Sequence, residues 1–336
     1  MLLRSALTAT AVLLAAFVGS GAHAQSAPVL YGLADASVAR VKPLGGDGRW
    51  QLDSGSMTRS YIGFRATEDL GGGLRAVLKL ESYVRTDTGE AGRSRGDAFW
   101  SRGANVGLSG AFGTTVLGRT VTPLYLATIN YNPFGESLGF SPSARQWFGG
   151  AVIGDESWNN SVAYTNEGTG APLLVNFAVN LLEDTPGQGR NVGLSAAYTS
   201  GPFSVVLVGE RIKNSPLPLP AGFSSQKAYQ IGATYDFKFA RLYAQLGRLS
   251  TNAPLQPRAM LLQLGASVPL GNGLILVAYG RSQQRTTYSQ ITDHTTSLGY
   301  DYFLSKHTDI YLAALYEKSF NVSAGHAIAG GVRMRF

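Results

Sequence analysis

Histidine next to a carboxylate is a common source of acid–base catalysis, and the sequence offers two such neighbourhoods. His294 follows Asp293, and His307 lies two residues before Asp309. The strand pattern described below places these pairs at opposite rims of the molecule, so they cannot converge on one nucleophile. The sequence has no cysteine, no cluster of histidines and carboxylates with metal-ligand spacing, and no phosphate-binding glycine loop that opens a helix. We therefore predict neither an enzyme nor a cofactor or metal site.

Charged side chains are the remaining groups that could carry a function. The 336 residues include 28 Lys and Arg against 21 Asp and Glu, a formal net charge of +7, but charged residues make up only 15% of the chain. The basic residues are scattered and form no run, which argues against a nucleic-acid interface. With 42 glycines and 10% aromatic residues, the composition favours a β protein over a helical one.

The first 24 residues have the features of a secretory signal peptide. Arg4 gives a basic start, residues 7–18 form a short apolar segment, and residues 22–24 read Ala-His-Ala, a small-x-small cleavage site. We predict cleavage after Ala24, which leaves a single domain of residues 25–336. This domain contains no apolar run of about 20 residues, so we expect no transmembrane helix.

Alternation with a period of two residues is the main structural signal in this domain. Between residues 227 and 238, Tyr229, Ile231 and Tyr235 share one face, and polar or small residues occupy the other. This pattern predicts a β-strand with one apolar face and one polar face. The pattern is less regular in residues 274–281, where the phase stays open. The same alternation recurs in residues 74–80, 191–199, 260–268, 310–316 and 328–336.

Short and long connections alternate along the chain. Seven short turns rich in glycine separate eight longer loops, which predicts sixteen strands with both chain ends on the short-turn side. Strands of about ten residues with this asymmetry are typical of an outer-membrane barrel, and a closed barrel is the β structure that satisfies its backbone in lipid. A soluble β protein is the alternative, but the polar faces offer no second apolar set for a sandwich core. The predicted long loops are residues 43–57, 87–97, 121–157, 183–189, 214–225, 251–257, 282–291 and 319–325.

The loop of residues 121–157 differs from the others because it has no alternating segment over nearly forty residues. Ordered loops of this length are usually functional. It contains Leu124, Leu126, Ile129, Tyr131 and Phe134, which are too many apolar residues for a solvated loop. Since sixteen strands enclose a lumen wider than side chains can fill, we predict that this loop folds inward and narrows an aqueous channel.

Several motifs, in this order and spacing, resemble those of the Gram-negative general porins, in particular the trimeric porins of β-proteobacteria. The resemblance covers essentially the whole mature chain. It implies a sixteen-stranded barrel in the outer membrane, a homotrimer, and passive diffusion of small hydrophilic solutes and ions. Further implied partners are outer-membrane lipid, lipopolysaccharide and the assembly machinery, which reads a terminal aromatic residue such as Phe336. The motifs are residues 29–32 (VLYG), 61–65 (YIGFR), 68–74 (EDLGGGL), 107–110 (GLSG), 117–119 (LGR) and 159–164 (NNSVAY).

In this family the third outer loop forms the constriction, opposite basic residues of the wall. Residues 132–136 (NPFGE) resemble the family's loop motif, but its acidic position is Pro133 and the carboxylate comes later, as Glu136. Two wall positions that are often basic in the family are Tyr61 and Ala163 here, whereas Arg119 is retained. The resemblance therefore implies a weaker positive field than is usual in the family, with apolar solutes tolerated past Tyr61, Tyr131 and Phe134.

Other cations could compensate for the two neutral positions. Rings of basic side chains raise the local concentration of anions, so we predict modest anion selectivity. Each arginine could instead form a structural salt bridge with a wall carboxylate, and this alternative stays open. The strand phase points Arg59, Arg65, Arg75, Lys79, Arg333 and Arg335 into the lumen. The predicted constriction residues are Arg59, Tyr61, Arg75, Lys79, Arg119, Phe134, Glu136 and Arg145.

A channel for one substrate and an adhesin are the remaining alternatives. A dedicated sugar channel needs a continuous row of aromatic residues along the lumen, and the sequence shows none. An adhesin needs larger outer loops than those predicted. A general diffusion channel is therefore the function that the sequence favours.

Overall fold

The computed structural model describes residues 27–181, 189–216 and 218–336. The predicted signal peptide and nearly all of the predicted loop at 183–189 lie outside these residues. No helix in the described residues is long and apolar enough to cross a membrane.

In these residues, seventeen antiparallel strand segments form one sheet that closes on itself. Closure joins β1 to β17, with Leu33 opposite Arg335 and Lys42 opposite His326. The strands are β1 (Val29–Lys42), β2 (Arg49–Ser54), β3 (Tyr61–Gly71), β4 (Leu74–Tyr83), β5 (Gly103–Gly110), β6 (Gly113–Val121), β7 (Ser157–Thr165), β8 (Leu173–Asn180), β9 (Val192–Ser200), β10 (Phe203–Ile212), β11 (Ser225–Asp236), β12 (Arg241–Asn252), β13 (Arg258–Leu270), β14 (Gly273–Arg285), β15 (Gln290–Phe303), β16 (Thr308–Ser319) and β17 (Gly325–Arg335).

The segments β2 and β3 together make one strand of the wall. The second half of β1 pairs with β2, and its first half pairs with β3, with Val41 opposite Arg49 and Leu33 opposite Tyr61. The wall therefore has sixteen strands, as the alternation of turns predicts. The predicted loop at 43–57 is wrong in its extent, because residues 49–54 continue the wall and residues 55–60 interrupt it.

The two faces of the wall differ as the period-two pattern predicts. In β11, Tyr229 and Ile231 are exposed, whereas Gln230 and Thr234 are buried. The same separation resolves the phase of β14, where Val277 is on the exposed face. Because the exposed face is apolar around the whole sheet, it is the face that meets lipid.

Two of the predicted loops are shorter than the sequence pattern suggests. Strand β14 continues to Arg285 and β15 begins at Gln290, so the predicted loop at 282–291 is reduced to four residues. Similarly, β12 ends at Asn252 and β13 begins at Arg258. The strand ends beyond the membrane are polar on both faces, which hides them from a search for apolar alternation.

The terminal residue closes the seam between the first and last strands. Phe336 donates its backbone N–H to the carbonyl of Gly32 at 3.1 Å and accepts a hydrogen bond from the Gly32 N–H at 2.9 Å. Its ring is 52% exposed and lies on the same outward phase as Met334. Phe336 therefore faces lipid; recognition of Phe336 by the assembly machinery stays a prediction.

Candidate pore constriction

The long loop between β6 and β7 contains two short helices, α1 (Pro123–Asn130) and α2 (Pro142–Phe148). Each begins in the same way. The side chains of Thr122 and Ser141 accept hydrogen bonds from the backbone N–H groups of Tyr125 and Ala144, and a proline follows each cap. An N-cap hydroxyl followed by proline is a known start signal for a helix. The pairs Thr122-Pro123 and Ser141-Pro142 thus mark both helix starts in the sequence itself.

Polar side chains on the inward face of the wall hold this loop by hydrogen bonds. Glu210 accepts a hydrogen bond from the Leu124 N–H at 2.7 Å, at the first turn of α1. Gln263 accepts one from the Ser143 N–H at 2.6 Å, at the first turn of α2. These partners lie on the face opposite the exposed apolar residues, so the loop is folded into the barrel. Three glutamines of the wall also bond to the loop: Gln226, Gln230 and Gln245.

A row of glycines on the inward face gives the loop room to approach the wall. A Cβ atom on Gly247 would lie 2.1 Å from the Trp147 ring, although real Cβ contacts below 3.0 Å are essentially absent. Trp147 is 1% exposed. These glycines therefore leave the space in which the loop packs against the wall. The row consists of Gly232, Gly247, Gly265, Gly280 and Gly299, which face Tyr131, Trp147, Pro133, Pro142 and Phe134 respectively.

Two aromatic residues of the loop that were predicted to face the solute path are instead buried between the loop and the wall. Phe134 is 3% exposed and packs at Gly299. Tyr131 is also buried, and its hydroxyl is hydrogen-bonded to Ser204 at 2.8 Å. The prediction that Phe134 and Tyr131 meet passing solutes is therefore wrong. The apolar residues of the loop face the wall because burial against it removes them from water.

Three arginines and three carboxylates tie the end of the loop to the wall; we call them the rim cluster. Arg93 lies at its centre and contacts Asp97 at 2.9 Å, Asp155 at 2.6 Å and Glu156 at 2.7 Å. Arg59 pairs with Glu156, and Arg119 pairs with Asp155 at 3.3 Å. Arg119 also donates to the Ser101 carbonyl and to Asn159. Two of the four predicted constriction arginines, Arg59 and Arg119, are thus paired with carboxylates of the loop; their action on ions stays a prediction.

The charge of Asp155 depends on this cluster. Burial raises its pKa, but the hydrogen bond and the positive charge of Arg93 outweigh burial and hold the pKa below the ordinary value. A carboxyl group with a lowered pKa stabilises the folded loop above its unfolded pKa of about 3.9, and that stabilisation is lost as the pH falls through the lower, folded value.

We expect acid to loosen the end of the loop. Current fluctuations of the open channel should be low at neutral pH and should increase below about pH 4, because protonated Asp155 no longer pairs with Arg93. Asp155→Asn should produce the same fluctuations at pH 7. A variant channel as quiet as the wild type at pH 7 would contradict this role for Asp155.

A second group of charges, which we call the eyelet cluster, lies between the tip of the loop and the wall. The Arg102 guanidinium stacks 4.0 Å above the centre of the Tyr61 ring. It donates to Glu81 at 3.0 Å and lies 3.5 Å from Glu136 of the loop. Lys79 lies 3.4 Å from Glu81. Two cations therefore match two carboxylates here.

Arg102 is a residue that the sequence analysis missed. It lies in the irregular segment between β4 and β5, where no alternation assigns it to a face. The neutral Tyr61 was expected to weaken the positive field at this wall position. Instead, its ring packs against the guanidinium of Arg102, a cation that belongs to another segment. A cation above an aromatic ring is favourable by about 0.5 to 2 kcal/mol. Tyr125 of the loop donates to Glu136 at 3.3 Å on the other side.

Three more of the predicted basic residues are also paired. Arg145, in α2, contacts Glu317 of β16 at 2.7 Å and fixes the second helix to the wall. Arg333 contacts Asp301 and Asp309, and Arg335 contacts Asp309 at 2.6 Å. Each of these three arginines therefore forms a structural salt bridge, which is the alternative that the sequence left open.

Two inward-facing arginines differ from this pattern. Arg65 and Arg75 are exposed, and neither forms an ion pair with another described residue. Arg65 lies directly opposite Lys79, whose side chain is 39% exposed. Like charges opposite each other on neighbouring strands repel. We call Arg65, Arg75 and Lys79 the basic strip; it lies on β3 and β4, towards the short-turn side of the eyelet cluster.

Comparison with known proteins identifies the family. The family model described as Gram-negative porin matches residues 9–321. The chain is 31% identical to outer membrane porin protein 32 of Delftia acidovorans, over 96% of this chain and 94% of that protein. It superimposes with a TM-score of 0.79 on the anion-selective porin from Comamonas acidovorans, at 27% identity, over 92% of this chain and 99% of the other.

A more distant structure supports the fold alone. The trimer form of OmpT, an outer membrane protein of Vibrio cholerae, matches with a TM-score of 0.72 at 15% identity, over 94% of this chain and 100% of the other. The closed barrel, the loop folded into it and the match over most of the chain agree with one another. This chain therefore belongs to the Gram-negative porin family and is a channel-forming protein of the outer membrane.

Proposed function

We propose that the channel is water-filled, passes small hydrophilic solutes and ions by passive diffusion, and modestly prefers anions. The observation that carries this proposal is the basic strip. The carboxylates of the rim and eyelet clusters, among them Glu81, Glu136, Asp155 and Glu156, are all in ion pairs, whereas Arg65 and Arg75 are exposed without such partners. Along β3 and β4, the inward face of the wall therefore offers anions more uncompensated charge than it offers cations.

Asp69 is the carboxylate that could cancel part of this charge. It lies opposite Arg75 in the register. However, Asp69 accepts a hydrogen bond from the Gly71 N–H at 2.9 Å, within its own turn, and forms no ion pair with Arg75. Fixed cations on a channel wall raise the local concentration of anions. The anion-selective porin from Comamonas acidovorans, which shares the fold and 27% of the sequence, supports the same preference.

A reversal potential in a KCl gradient across a planar bilayer tests the preference, and swelling of liposomes tests the size of the channel. We expect a reversal potential of the sign that indicates chloride permeation, and swelling rates that fall smoothly with the size of the sugar. Cation selectivity would reject the proposed preference. Swelling that favours one sugar would indicate a dedicated channel instead of a general one.

The proposed assembly is a homotrimer in outer-membrane lipid, with Phe336 as the signal for the assembly machinery. Support for the trimer comes from the family resemblance and from the trimer form of the Vibrio cholerae protein. Slow migration of unheated protein on a gel, lost on heating, would support the trimer. Residues 87–97 are the predicted second outer loop; within the chain, Arg93 of this segment contacts Asp97 and Asp155.

We also propose that the chain has no enzymatic activity of its own. Its histidines lie apart, because His294 pairs in register with Lys318 near the long-loop end, whereas His307 lies in the short turn after β15. His294 is hydrogen-bonded to Tyr279 at 2.7 Å on the outward face. The two histidines therefore cannot act on one nucleophile.

A further inference from the structure

Two tyrosine rings and two guanidinium groups form a continuous row on the inward face of the wall. The guanidinium of Arg65 lies over the Tyr31 ring, 5.2 Å from its centre, and that of Arg102 lies over the Tyr61 ring at 4.0 Å. The two rings meet edge to face, with their centres 6.2 Å apart. Both kinds of contact are favourable. We call Arg65, Tyr31, Tyr61 and Arg102, in this spatial order, the cation–aromatic stack.

The stack connects the eyelet cluster with the basic strip. Tyr61 and Arg102 belong to the eyelet cluster, and Arg65 belongs to the basic strip on its short-turn side. All four side chains are at least partly exposed. A solute that passes the tip of the loop from the long-loop side therefore meets the Tyr61 ring first and the Tyr31 ring next. The two rings come from separate strands, so the sequence alone shows no row of aromatic residues.

Gly63 makes room for the Tyr31 ring to lie across β3. Tyr31 is opposite Gly63 in the register. A Cβ atom on Gly63 would lie 2.9 Å from the Tyr31 ring, closer than real Cβ atoms come to their neighbours. Across Gly63, the Tyr31 hydroxyl donates to Glu81 of β4 at 2.8 Å. The wall therefore holds this ring in place beside Tyr61.

Positive charge exceeds negative charge around the stack. Glu81 accepts hydrogen bonds from Tyr31 and Arg102 and lies 3.4 Å from Lys79. The basic strip and the eyelet cluster together hold four cations and two carboxylates, which leaves two positive charges in excess. An anion beside the rings is therefore attracted, and a cation is repelled. The cations are Arg65, Arg75, Lys79 and Arg102, and the carboxylates are Glu81 and Glu136.

We propose that the cation–aromatic stack binds small aromatic carboxylates, such as benzoate, during their passage through the channel. The planar ring of such a solute packs against tyrosine and guanidinium groups, and its carboxylate meets the exposed cations of the basic strip. A neutral sugar gains nothing from the excess of cations. Because Tyr61 occupies a wall position that is often basic in the family, the stack is a feature of this chain. The inference rests on the proposed function, since it requires that anions enter the channel.

Reduction of the single-channel chloride current by two matched anions tests the proposal. Benzoate and cyclohexanecarboxylate have the same charge at neutral pH and nearly the same size, but only benzoate has an aromatic ring. We expect benzoate to halve the current at a roughly fivefold lower concentration, because contact between two aromatic rings contributes a factor of about two to ten in affinity. Benzylammonium, which combines the ring with a positive charge, should leave the current unchanged.

Tyr61→Leu should make the two half-blocking concentrations equal, because it removes the ring and keeps an apolar side chain. Tyr61→Phe keeps the ring and should keep the difference. The matched control is Tyr243→Leu. Tyr243 also lies on the inward face under an arginine, with Arg241 at 5.4 Å, but it is paired with no second ring among the described residues. The control should show the wild-type difference.

Several results would overturn the proposal. These are equal half-blocking concentrations in the wild type, an undiminished difference in Tyr61→Leu, loss of the difference in Tyr243→Leu as well, and block by benzylammonium as strong as block by benzoate. If Tyr61→Leu does not fold, Tyr31→Leu tests the other ring. The reversal potential of the wild type in a KCl gradient separates the two proposals. Chloride selectivity without a benzoate preference refutes the stack alone, whereas cation selectivity refutes the proposed function.

Discussion

Gly247→Ala detaches the constriction loop from the wall and produces a channel with higher conductance. The added Cβ atom would lie 2.1 Å from the Trp147 ring, so the ring must leave its seat. Trp147 is almost fully buried, and truncation of a buried aromatic residue costs about 3 to 5 kcal/mol. A loss of even 3 kcal/mol raises the ratio of detached to attached loop about a hundredfold. Single-channel recording in planar bilayers measures the effect.

Gly330→Ala on β17 is the matched control. A Cβ atom there would meet its nearest neighbours at 3.9 Å, which is an ordinary contact, so conductance should match the wild type. Trp147→Ala should reproduce the Gly247→Ala phenotype without any added atom at the wall. If both Gly247→Ala and Trp147→Ala keep the wild-type conductance, Trp147 does not hold the loop that narrows the channel.

The barrel could be predicted from the sequence because its strands obey one simple rule. Tyr229 and Gln230 differ in polarity because one faces lipid and the other faces the lumen, and this difference repeats from strand to strand. The interruption between β2 and β3 breaks the rule. There the inward-facing Asp35 accepts hydrogen bonds from the backbone N–H groups of Met57 and Thr58. Because these residues are far from Asp35 in the sequence, the contact produces no periodic pattern.

The contacts of the constriction were less predictable than its position. The length and apolar content of residues 121–157 indicated a loop that folds inward, and Glu210 and Gln263 do bond to it. The pairing of Arg102 with Glu81 and Glu136 depends on three segments that meet only in the folded chain. The spacing of residues in the sequence cannot identify this contact, because the segment that contains Arg102 has no regular alternation.

Removal of the two exposed arginines of the basic strip should abolish most of the preference for anions. In Arg65→Gln with Arg75→Gln, we expect the chloride-to-potassium permeability ratio to fall by up to about sevenfold for each charge at low salt. A unit charge about 7 Å away in water attracts chloride by about 0.6 kcal/mol and repels potassium by the same amount. The difference of about 1.2 kcal/mol is a factor of about seven in the ratio. The reversal potential in a KCl gradient measures this ratio.

Arg248→Gln with Arg258→Gln removes the same two charges from the outward face and is the matched control. Its permeability ratio should stay at the wild-type value, because ions in the lumen are separated from these residues by the wall. Screening adds a second criterion, since the Debye length is about 30 Å at 0.01 M salt but only about 3 Å at 1 M. The difference between the two variants should therefore shrink as the salt concentration rises. Equal shifts in both variants would mean that net charge, and not the position of Arg65 and Arg75 in the lumen, determines which ions pass.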